Sequence, residues 1–571
     1  MFVVSISLCH ANVCRRWQFS DRIILHPIMS ELSGAHSVAS GRATPKGLFP
    51  LRVGRLGWRE AGLLGVLVFF ALFFGRGLLA GYSYWYDELF TVLMCSISWE
   101  ELYRRWILPD VTPPFYYYFL KPWIGLFGAS EISTRIPSLL FALVSLGSLS
   151  WFLRARAFAV RLFALLLMGG LPLVAYFSQE TRHYTLVLLL SSWVTFLALM
   201  LRRRSQPDAA LQPADPSRAI VLYYFISLLL ALTHYFGLLY VLALSALNFL
   251  ERRIDGSRVR TLALMASVLV WPLLHARLGK LLSHTGGNFW IQVEPFWGTL
   301  RNFLEATFPV VLRDGQFVWP LLLAAAVLLV IGLRGLRGSS PYQVLAQAEA
   351  PAQTWDETRF LVQLVGLVLV GILLLDLRSP LSTTRNFIVL VPPVVLVITN
   401  LFGYFLGSVR GSRLWSSVFL GAVALLLLAQ LQISYERLSA KIVPRQNWKD
   451  LGAFVETTGL CDQGCQSYGA EPAYIQYYMK QAKLEPRTSE QIKESGFRLD
   501  SGRPFLGFHD AYRELPAIAA SNPEWQCLEP TQADEAAVFV FLPRDRELKD
   551  GATTLKPCQP PQRAPYFWTG R

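Results

Sequence analysis

The sequence predicts a mainly α-helical fold, in which a polytopic transmembrane bundle is followed by a small α/β domain. Two observations support this prediction. Hydrophobic residues make up 53% of the 571 residues and charged residues only 16%, which is too apolar for a water-soluble chain of this length. Apolar runs of roughly 20 residues, the length that crosses a bilayer, also recur along the chain from residue 61 onwards.

Residues 1–50 are left out of the predicted fold. They are mixed in composition, contain Cys9 and Cys14, and lack the long apolar segment of a signal peptide. We expect either a disordered N-terminal extension or a non-native one, with Met29 as the true start.

Eleven apolar runs form the predicted membrane domain, which covers residues 51–435. Short arginine clusters, such as Arg202 to Arg204, lie at the ends of these runs in the pattern of the positive-inside rule. The net charge of +14 therefore indicates a bilayer as the partner and no nucleic acid. The runs are 61–80, 133–153, 162–178, 183–201, 219–234, 236–250, 260–276, 317–333, 360–377, 384–402 and 414–433.

Residues 113–128 do not fit this series. The segment is short, opens with two prolines and contains Lys121, which favours an interfacial or re-entrant helix over a crossing. A crossing here would shift the neighbouring runs.

Residues 436–571 are predicted to form a small external soluble domain. Hydropathy falls after residue 436, and a strand-like stretch appears at 537–541. Four of the seven cysteines also lie here, which in an oxidising compartment allows two disulfides in any of three pairings. The alternative is four reduced thiols. These residues are Cys461, Cys465, Cys527 and Cys558.

Acidic and aromatic residues concentrate in the loops that this threading places outside, so we expect any functional site there. Asp87 and Glu88 follow the first run. One carboxylate can take a proton from an acceptor hydroxyl, and two can hold a divalent cation against a phosphate. The alternative is a solvated acidic loop in an aromatic belt. Asp110, just before the paired prolines, either caps a helix or faces the same cavity.

A second polar group, which includes Glu180 and Arg182, lies between two strongly apolar runs. The two residues either pair with each other in a tight loop, or Arg182 binds the phosphate of a carrier lipid through its planar guanidinium. Arg135, Arg378 and Arg385 are rival phosphate-binding residues.

His234 and Tyr235 mark a turn between two further runs. We expect them to contact a sugar, a metal or a water, or His234 to be a structural histidine.

Five motifs follow one another in an order that resembles a known family. They are WYDELFT, then DVTPPFYYYFLKPWIGLFG with the following RIPSLLFALVSL, then SQETRHYTLVLLL, THYFGLL and STTRNFIVLVPP. This order resembles the bacterial relatives of glycosyltransferase family 39. That family belongs to the GT-C superfamily, with the dolichyl-phosphate-mannose protein mannosyltransferases and the aminoarabinose transferase of lipid A. The match covers roughly residues 60–400, and QNWKDLGAFVE resembles the start of the external domain in that group.

The resemblance implies a GT-C bundle with a lumenal or periplasmic site, and an inverting transfer from a lipid-phosphate-linked sugar. It assigns the catalytic carboxylate to Asp87, with Glu88 beside it. It implicates Gln179, Glu180, Arg182 and Tyr184 in the cavity and Arg385 in the loop that faces it. The full set of predicted substrate-binding residues is Asp110, Tyr117, Arg135, Gln179, Glu180, Arg182, Tyr184, His234, Tyr235 and Arg385.

One position departs from the family pattern. Many relatives carry histidine directly before the paired prolines, whereas this chain has Thr112. This departure argues against a histidine-assisted metal site there. A divalent metal ion stays open as a cofactor, with no ligands assigned.

We thus expect a multi-pass protein of a bacterial inner or plasma membrane, with its site and C-terminal domain extracytoplasmic. The expected partners are a polyprenyl-phosphate sugar donor, the lipid bilayer, and a glycan, lipid or protein acceptor. The alternative function is a transporter or lipid flippase, which predicts inverted repeats and charged groups near the midplane of several helices.

Overall fold

The structure is a computed structural model of the chain. The predicted N-terminal extension at 1–50 lies outside the residues that it describes. These are 57–107, 113–203, 215–274, 296–310, 351–378, 381–409, 413–442, 448–468, 477–480, 483–499, 503–508, 514–530, 538–544 and 555–558.

Helices make up the first and larger part of the described chain. They include a π-helix, Leu102–Ile107, and a 3₁₀ helix, Thr384–Leu390. The α-helices are α1 (Trp58–Leu79), α2 (Tyr86–Ser96), α3 (Trp99–Glu101), α4 (Phe115–Phe127), α5 (Glu131–Phe152), α6 (Phe158–Gly169), α7 (Pro172–Phe177), α8 (Tyr184–Arg203), α9 (Pro216–Ala231), α10 (Tyr235–Glu251), α11 (Arg258–Leu274), α12 (Trp297–Thr307), α13 (Pro351–Arg378), α14 (Val391–Val409) and α15 (Arg413–Ile442).

Within the described residues, six helical segments are long and apolar enough to cross a bilayer, so the chain is an integral membrane protein, as predicted. The predicted apolar runs fall on α1, α5 to α11 and α13 to α15, except for 317–333, which lies outside the described residues. The six segments are Trp58–Leu79, Glu131–Phe152, Tyr184–Arg203, Thr354–Leu377, Thr384–Gly407 and Leu414–Ser439.

The buried fraction of each helix distinguishes the centre of the bundle from its lipid-facing surface. In α8, 89% of the apolar stretch is buried, against 11% in α15. Leu72 and Leu79 of α1 are 72% and 82% exposed, as suits side chains that face hydrocarbon. The residues near the start of α8 therefore lie deep inside the protein.

The predicted run 162–178 is broken into α6 and α7. Pro172 lies in the first turn of α7, where the missing N–H has no helical partner to lose. Two side chains of α15 satisfy carbonyls that the break leaves open: the Gln430 amide donates to Leu167 O at 2.7 Å, and the Ser434 hydroxyl to Gly170 O at 2.6 Å. The break is therefore stabilised inside the bundle.

The segment that was predicted as interfacial forms α4. This helix has 13 residues, with Pro122 inside it, and a helix of that length is about 20 Å long. It is too short to cross a bilayer core of about 30 Å.

The described part of the C-terminal domain has three helices and a mixed six-stranded sheet in the order β2-β1-β3-β5-β4-β6. Strand β1 is parallel to β2 and β3, and the pairs β3–β5, β4–β5 and β4–β6 are antiparallel. The predicted α/β domain is therefore confirmed. Its elements are α16 (Trp448–Thr458), β1 (Cys465–Tyr468), β2 (Leu484–Pro486), α17 (Ser489–Glu494), β3 (Phe505–Phe508), α18 (Leu515–Ser521), β4 (Trp525–Pro530), β5 (Val538–Pro543) and β6 (Leu555–Pro557).

Two disulfides join the four cysteines of this domain. Cys461 pairs with Cys465 across a short turn, and Cys527 of β4 pairs with Cys558 after β6. Of the three pairings that the sequence left open, the structure has the one that links neighbours in the chain.

The C-terminal domain packs against the loop between α1 and α2. The Tyr478 hydroxyl accepts a hydrogen bond from the Tyr84 backbone N–H at 3.0 Å and donates one to Glu131 at 3.0 Å. The Tyr84 ring is fully buried in this contact. The start of α2 is therefore held from both sides, by the bundle and by the C-terminal domain.

Candidate active site

The first turn of α2 carries the two predicted acidic residues. Trp85 precedes the helix in extended conformation. Asp87 and Glu88 follow in the first turn, where the positive end of the helix dipole stabilises carboxylates. Consecutive helix residues point about 100° apart, so the two carboxylates face different surroundings. The Asp87 side chain is 26% exposed, whereas that of Glu88 is fully buried.

The Asp87 carboxylate lies between two arginines that were predicted to bind phosphate. Its Oδ2 is 3.3 Å from Nη1 of Arg385 and 3.7 Å from Nη2 of Arg182. The side chains of Arg385 and Arg182 are 11% and 12% exposed, so solvent screens the contacts only weakly. These three groups alone carry a net positive charge and leave part of Asp87 accessible.

Arg182 lies in the turn between α7 and α8, and α2 fixes its position. Its Nη1 donates to Thr91 Oγ1 at 2.9 Å and to the Asp87 carbonyl at 3.2 Å. Burial lowers the pKa of the Arg182 guanidinium, but the nearby Asp87 carboxylate and tyrosines raise it by more, so the group stays charged. Arg182 therefore interacts with Asp87 as well as with Glu180, the partner that the sequence offered for it in a tight loop.

Arg385 extends from the 3₁₀ helix that precedes α14. The loop before it is held by Asp376, which accepts from the N–H groups of Leu381 and Ser382 at 2.8 and 2.9 Å. The hydroxyl of Thr384 donates to Glu305 of α12 at 3.0 Å. These contacts fix the residues next to Arg385 and so direct its guanidinium towards Asp87.

Glu88 forms a buried ion pair with Arg135 of α5, apart from the two arginines that contact Asp87. Arg135 binds the carboxylate with both Nε and Nη2, at 2.8 and 2.7 Å, and donates to the Tyr82 carbonyl at 2.9 Å. Glu88 also accepts from the Thr181 N–H at 2.8 Å. The pair thus ties three segments together: the loop before α2, helix α5 and the turn before α8.

The remaining predicted residues divide into those near Asp87 and those behind it. Tyr184 lies near, with the Arg385 guanidinium 5.7 Å from its ring centre. Gln179 faces α1, where its amide donates to Phe74 O at 2.6 Å and a Cβ on Gly77 would clash with it. Glu180 is fully buried and interacts electrostatically with Arg182, and the buried Tyr117 accepts a weak bond from Cys95.

Two histidines lie next to this site, and only one of them was predicted. His234 caps α10, its Nδ1 accepting from the Phe236 N–H at 3.1 Å, and the following Tyr235 is the first residue of α10. The His183 ring is 4.9 Å from the His234 ring and 6.1 Å from that of Tyr116. His183 lies between Arg182 and Tyr184 in the chain, and both of those were predicted as substrate-binding residues. This position was the only sign in the sequence that His183 belongs to the same site.

Lowering the pH from 7 to 5 is expected to destabilise the folded protein, because His183 is buried and His234 half-buried, both in neutral form. Burial, and then neighbouring charges that include Arg182 and Arg385, lower the pKa of His234 to about 3 and the pKa of His183 well below its usual range. In the unfolded chain each histidine takes up a proton near pH 6.5, so this stability is present above that pH and is lost as the pH falls. The loss at pH 5 is about 2 kcal/mol for His234, and His183 contributes in the same direction.

The measurement is the unfolding temperature in detergent at the two pH values. The double variant His183→Gln/His234→Gln should lose part of the dependence on pH. An equal fall in the variant and in the wild type would contradict the assignment.

Asp110 lies outside the described residues, as does the side chain of Arg378. In the part of the chain that the structure describes, no three His, Cys, Asp or Glu side chains converge as metal ligands. The groups in contact with the Asp87 carboxylate are cations, which does not fit a bound metal ion there.

No protein-family model and no curated protein sequence matches the chain. Similar solved structures include ArnT from Cupriavidus metallidurans, in the apo state and bound to undecaprenyl phosphate. Each is 14% identical with a TM-score of 0.45, over 84% of this chain and 98% of that one. Another is an oligosaccharyltransferase from Archaeoglobus fulgidus in the apo form, which is 11% identical with a TM-score of 0.38, over 85% of this chain and 75% of that one. Scores this low assign no function and no residue role to this chain.

Proposed function

We propose that this chain is a membrane glycosyltransferase of the GT-C type. It would transfer a sugar from a polyprenyl-phosphate donor to a hydroxyl group of a glycan, lipid or protein acceptor. The observation that carries the proposal is the partly exposed Asp87 carboxylate, held between Arg182 and Arg385 at one end of an apolar helical bundle.

The two arginines are the proposed phosphate site. A guanidinium offers paired N–H donors that match phosphate oxygens, and both side chains are largely withdrawn from water. The polyprenyl chain would stay in the bilayer while its phosphate reaches the helix ends. The Nε of Arg182 has no hydrogen-bond partner among the described residues and is one donor that the phosphate could engage.

Asp87 is the proposed general base. Its carboxylate is engaged by both guanidiniums. A donor phosphate would take over some of these contacts, so that donor binding would itself release Asp87 to accept a proton. Asp87 then removes the proton from the acceptor hydroxyl as that oxygen bonds to the anomeric carbon.

The bond between the anomeric carbon and the phosphate oxygen breaks in the same step, and the polyprenyl phosphate leaves as an anion. Arg182 and Arg385 stabilise the charge that develops on it. A single displacement of this kind inverts the anomeric configuration. Glu88 and Arg135 would support this step indirectly by fixing the start of α2.

The site is proposed to face the non-cytosolic side of a bacterial plasma membrane, together with the C-terminal domain. The opposite ends of the helices carry a basic cluster in which Arg203 pairs with Glu357 at 2.6 Å and Arg253 pairs with Asp356 at 2.6 Å. The positive-inside rule places such a cluster in the cytosol. Labelling of single cysteines introduced at either end would test the orientation.

The direct test uses the full chain in vesicles with a radiolabelled polyprenyl-phosphate sugar and a membrane extract as the source of acceptor. A glycosyltransferase releases polyprenyl phosphate and moves the label to a new product. Movement of intact donor across the vesicle membrane, with no labelled product, would instead support the hypothesis that the protein is a transporter or flippase.

Replacing either arginine is expected to weaken donor binding. Arg182→Ala and Arg385→Ala should each raise the Kd for polyprenyl phosphate by about 10- to 100-fold, because each removes a charge-assisted hydrogen bond in a poorly solvated site. Lysine at either position should recover part of the loss, since it keeps the charge but not the paired donors. The measurement is binding by microscale thermophoresis in detergent.

Arg104→Ala is the matched control, because that side chain is 73% exposed and pairs with its helix neighbour Glu100. Its Kd should equal that of the wild type. An unchanged Kd for polyprenyl phosphate in both Arg182→Ala and Arg385→Ala would contradict the assignment of the phosphate site.

A further inference from the structure

A group of neutral polar rings lies directly beside the proposed phosphate site. It consists of Tyr116 from α4, His183 from the turn before α8, and His234 at the start of α10. The His183 ring is in the middle, 6.1 Å from Tyr116 and 4.9 Å from His234. Three segments that are distant in sequence thus bring hydrogen-bonding groups to one place.

One hydrogen-bonding atom of this group is buried without a partner in the described residues. The Nε2 of His183 makes no hydrogen bond there, and that residue is only 4% exposed. The Tyr116 hydroxyl, in a residue 1% exposed, interacts with the Ser138 hydroxyl but makes no hydrogen bond of ordinary geometry within the described residues. Buried polar groups in proteins are nearly always paired with protein, water or ligand. The partner of His183 Nε2 would therefore be a water or a bound ligand.

The hydrogen-bonding character of the group suits hydroxyls better than anions. Because Nδ1 of His234 accepts the Phe236 N–H, the proton of the neutral ring is on Nε2, which makes that nitrogen a donor. A tyrosine hydroxyl both donates and accepts. Burial keeps the pKa of both histidines low, so the group carries no charge of its own at neutral pH.

The position of the group links it to the phosphate site. His183 follows Arg182 in the chain, and the next residue, Tyr184, has the Arg385 guanidinium over its ring at 5.7 Å. The His234 ring is 6.2 Å from the Tyr184 ring. A ligand with a phosphate on the two arginines would therefore have its adjoining group next to these rings.

We propose that Tyr116, His183 and His234 form a sugar subsite that binds hydroxyl groups of the donor's glycosyl unit. This inference rests on the proposed function, because it takes the phosphate on Arg182 and Arg385 to be the donor's. The arginines would bind the carrier, and the neutral rings would distinguish a carrier that bears a sugar from one that has already lost it.

The test compares two ligands on the full chain in detergent: a polyprenyl-phosphate sugar and polyprenyl phosphate alone. Tyr116→Phe removes one hydroxyl with little change of shape, and His183→Leu removes the ring nitrogens. Each should raise the Kd for the sugar-bearing ligand by about tenfold and leave the Kd for the bare phosphate unchanged. Arg385→Ala should weaken both ligands.

Tyr118→Phe is the matched control on the same helix, because Tyr118 is 40% exposed and stacks on Trp99. It should change neither Kd. Equal losses for the two ligands in Tyr116→Phe and His183→Leu, or no loss for either, would mean that the rings hold water only and would overturn the sugar subsite. If the wild type binds neither ligand, the proposed function itself fails.

Discussion

Asp87→Asn is expected to reduce sugar transfer by about 10²- to 10⁴-fold while the protein still folds and binds polyprenyl phosphate. Asparagine keeps the size of the side chain and can still accept a hydrogen bond from Arg385, but it cannot take a proton from the acceptor. The measurement is the rate of product formation at saturating donor, with binding of the carrier phosphate measured on the same preparation.

Glu100→Gln is the control for this substitution, since Glu100 is an acidic residue that is 71% exposed and not in contact with Asp87. It should transfer at the wild-type rate. Retention by Asp87→Asn of activity within about threefold of the wild type would exclude Asp87 as the base, whatever its binding affinity.

Breaking the buried ion pair of Glu88 and Arg135 is expected to cause the largest loss of folding stability among the variants proposed. Arg135→Met or Glu88→Leu removes one partner and leaves the other charge without compensation inside the protein, which typically costs about 3–5 kcal/mol. Both side chains are 0% exposed and share two short hydrogen bonds, so solvent cannot replace the missing partner. The unfolding temperature in detergent should fall sharply for each single variant.

The double variant Glu88→Leu/Arg135→Met is the informative comparison. It leaves neither charge uncompensated, so it should be more stable than the sum of the two single effects predicts. Additive losses would show that the two side chains act independently. Recovery of stability without recovery of transfer would show that the pair also positions the start of α2.

The membrane class, the apolar runs and the α/β domain could be predicted from the sequence, because composition and the length of apolar segments determine them directly. The order of the motifs was also sufficient to select Asp87, Arg182 and Arg385. In the structure both arginines lie within 4 Å of the same Asp87 carboxylate oxygen. These residues are distant in the chain, and the sequence alone gave no distance between them.

The different surroundings of Asp87 and Glu88 could not be predicted. The residues are adjacent, and which one enters the core depends on where helix α2 starts and on Arg135 from another helix. His183 was missed for a related reason. Its neighbours carry charge, which marks a residue as unusual in a membrane sequence, whereas a single neutral histidine does not. The pairing of the cysteines likewise depended on strand order.

The hydroxyl of Tyr478 gives the C-terminal domain a part in the architecture of the membrane domain. It bonds the main chain at Tyr84, three positions ahead of Asp87, and also Glu131 at the start of α5. A chain cut after α15 would lose both bonds and uncover the Tyr84 ring. The helical bundle alone is therefore not expected to keep the start of α2 in place. Reconstitution should use a chain that contains both the helical bundle and the C-terminal domain.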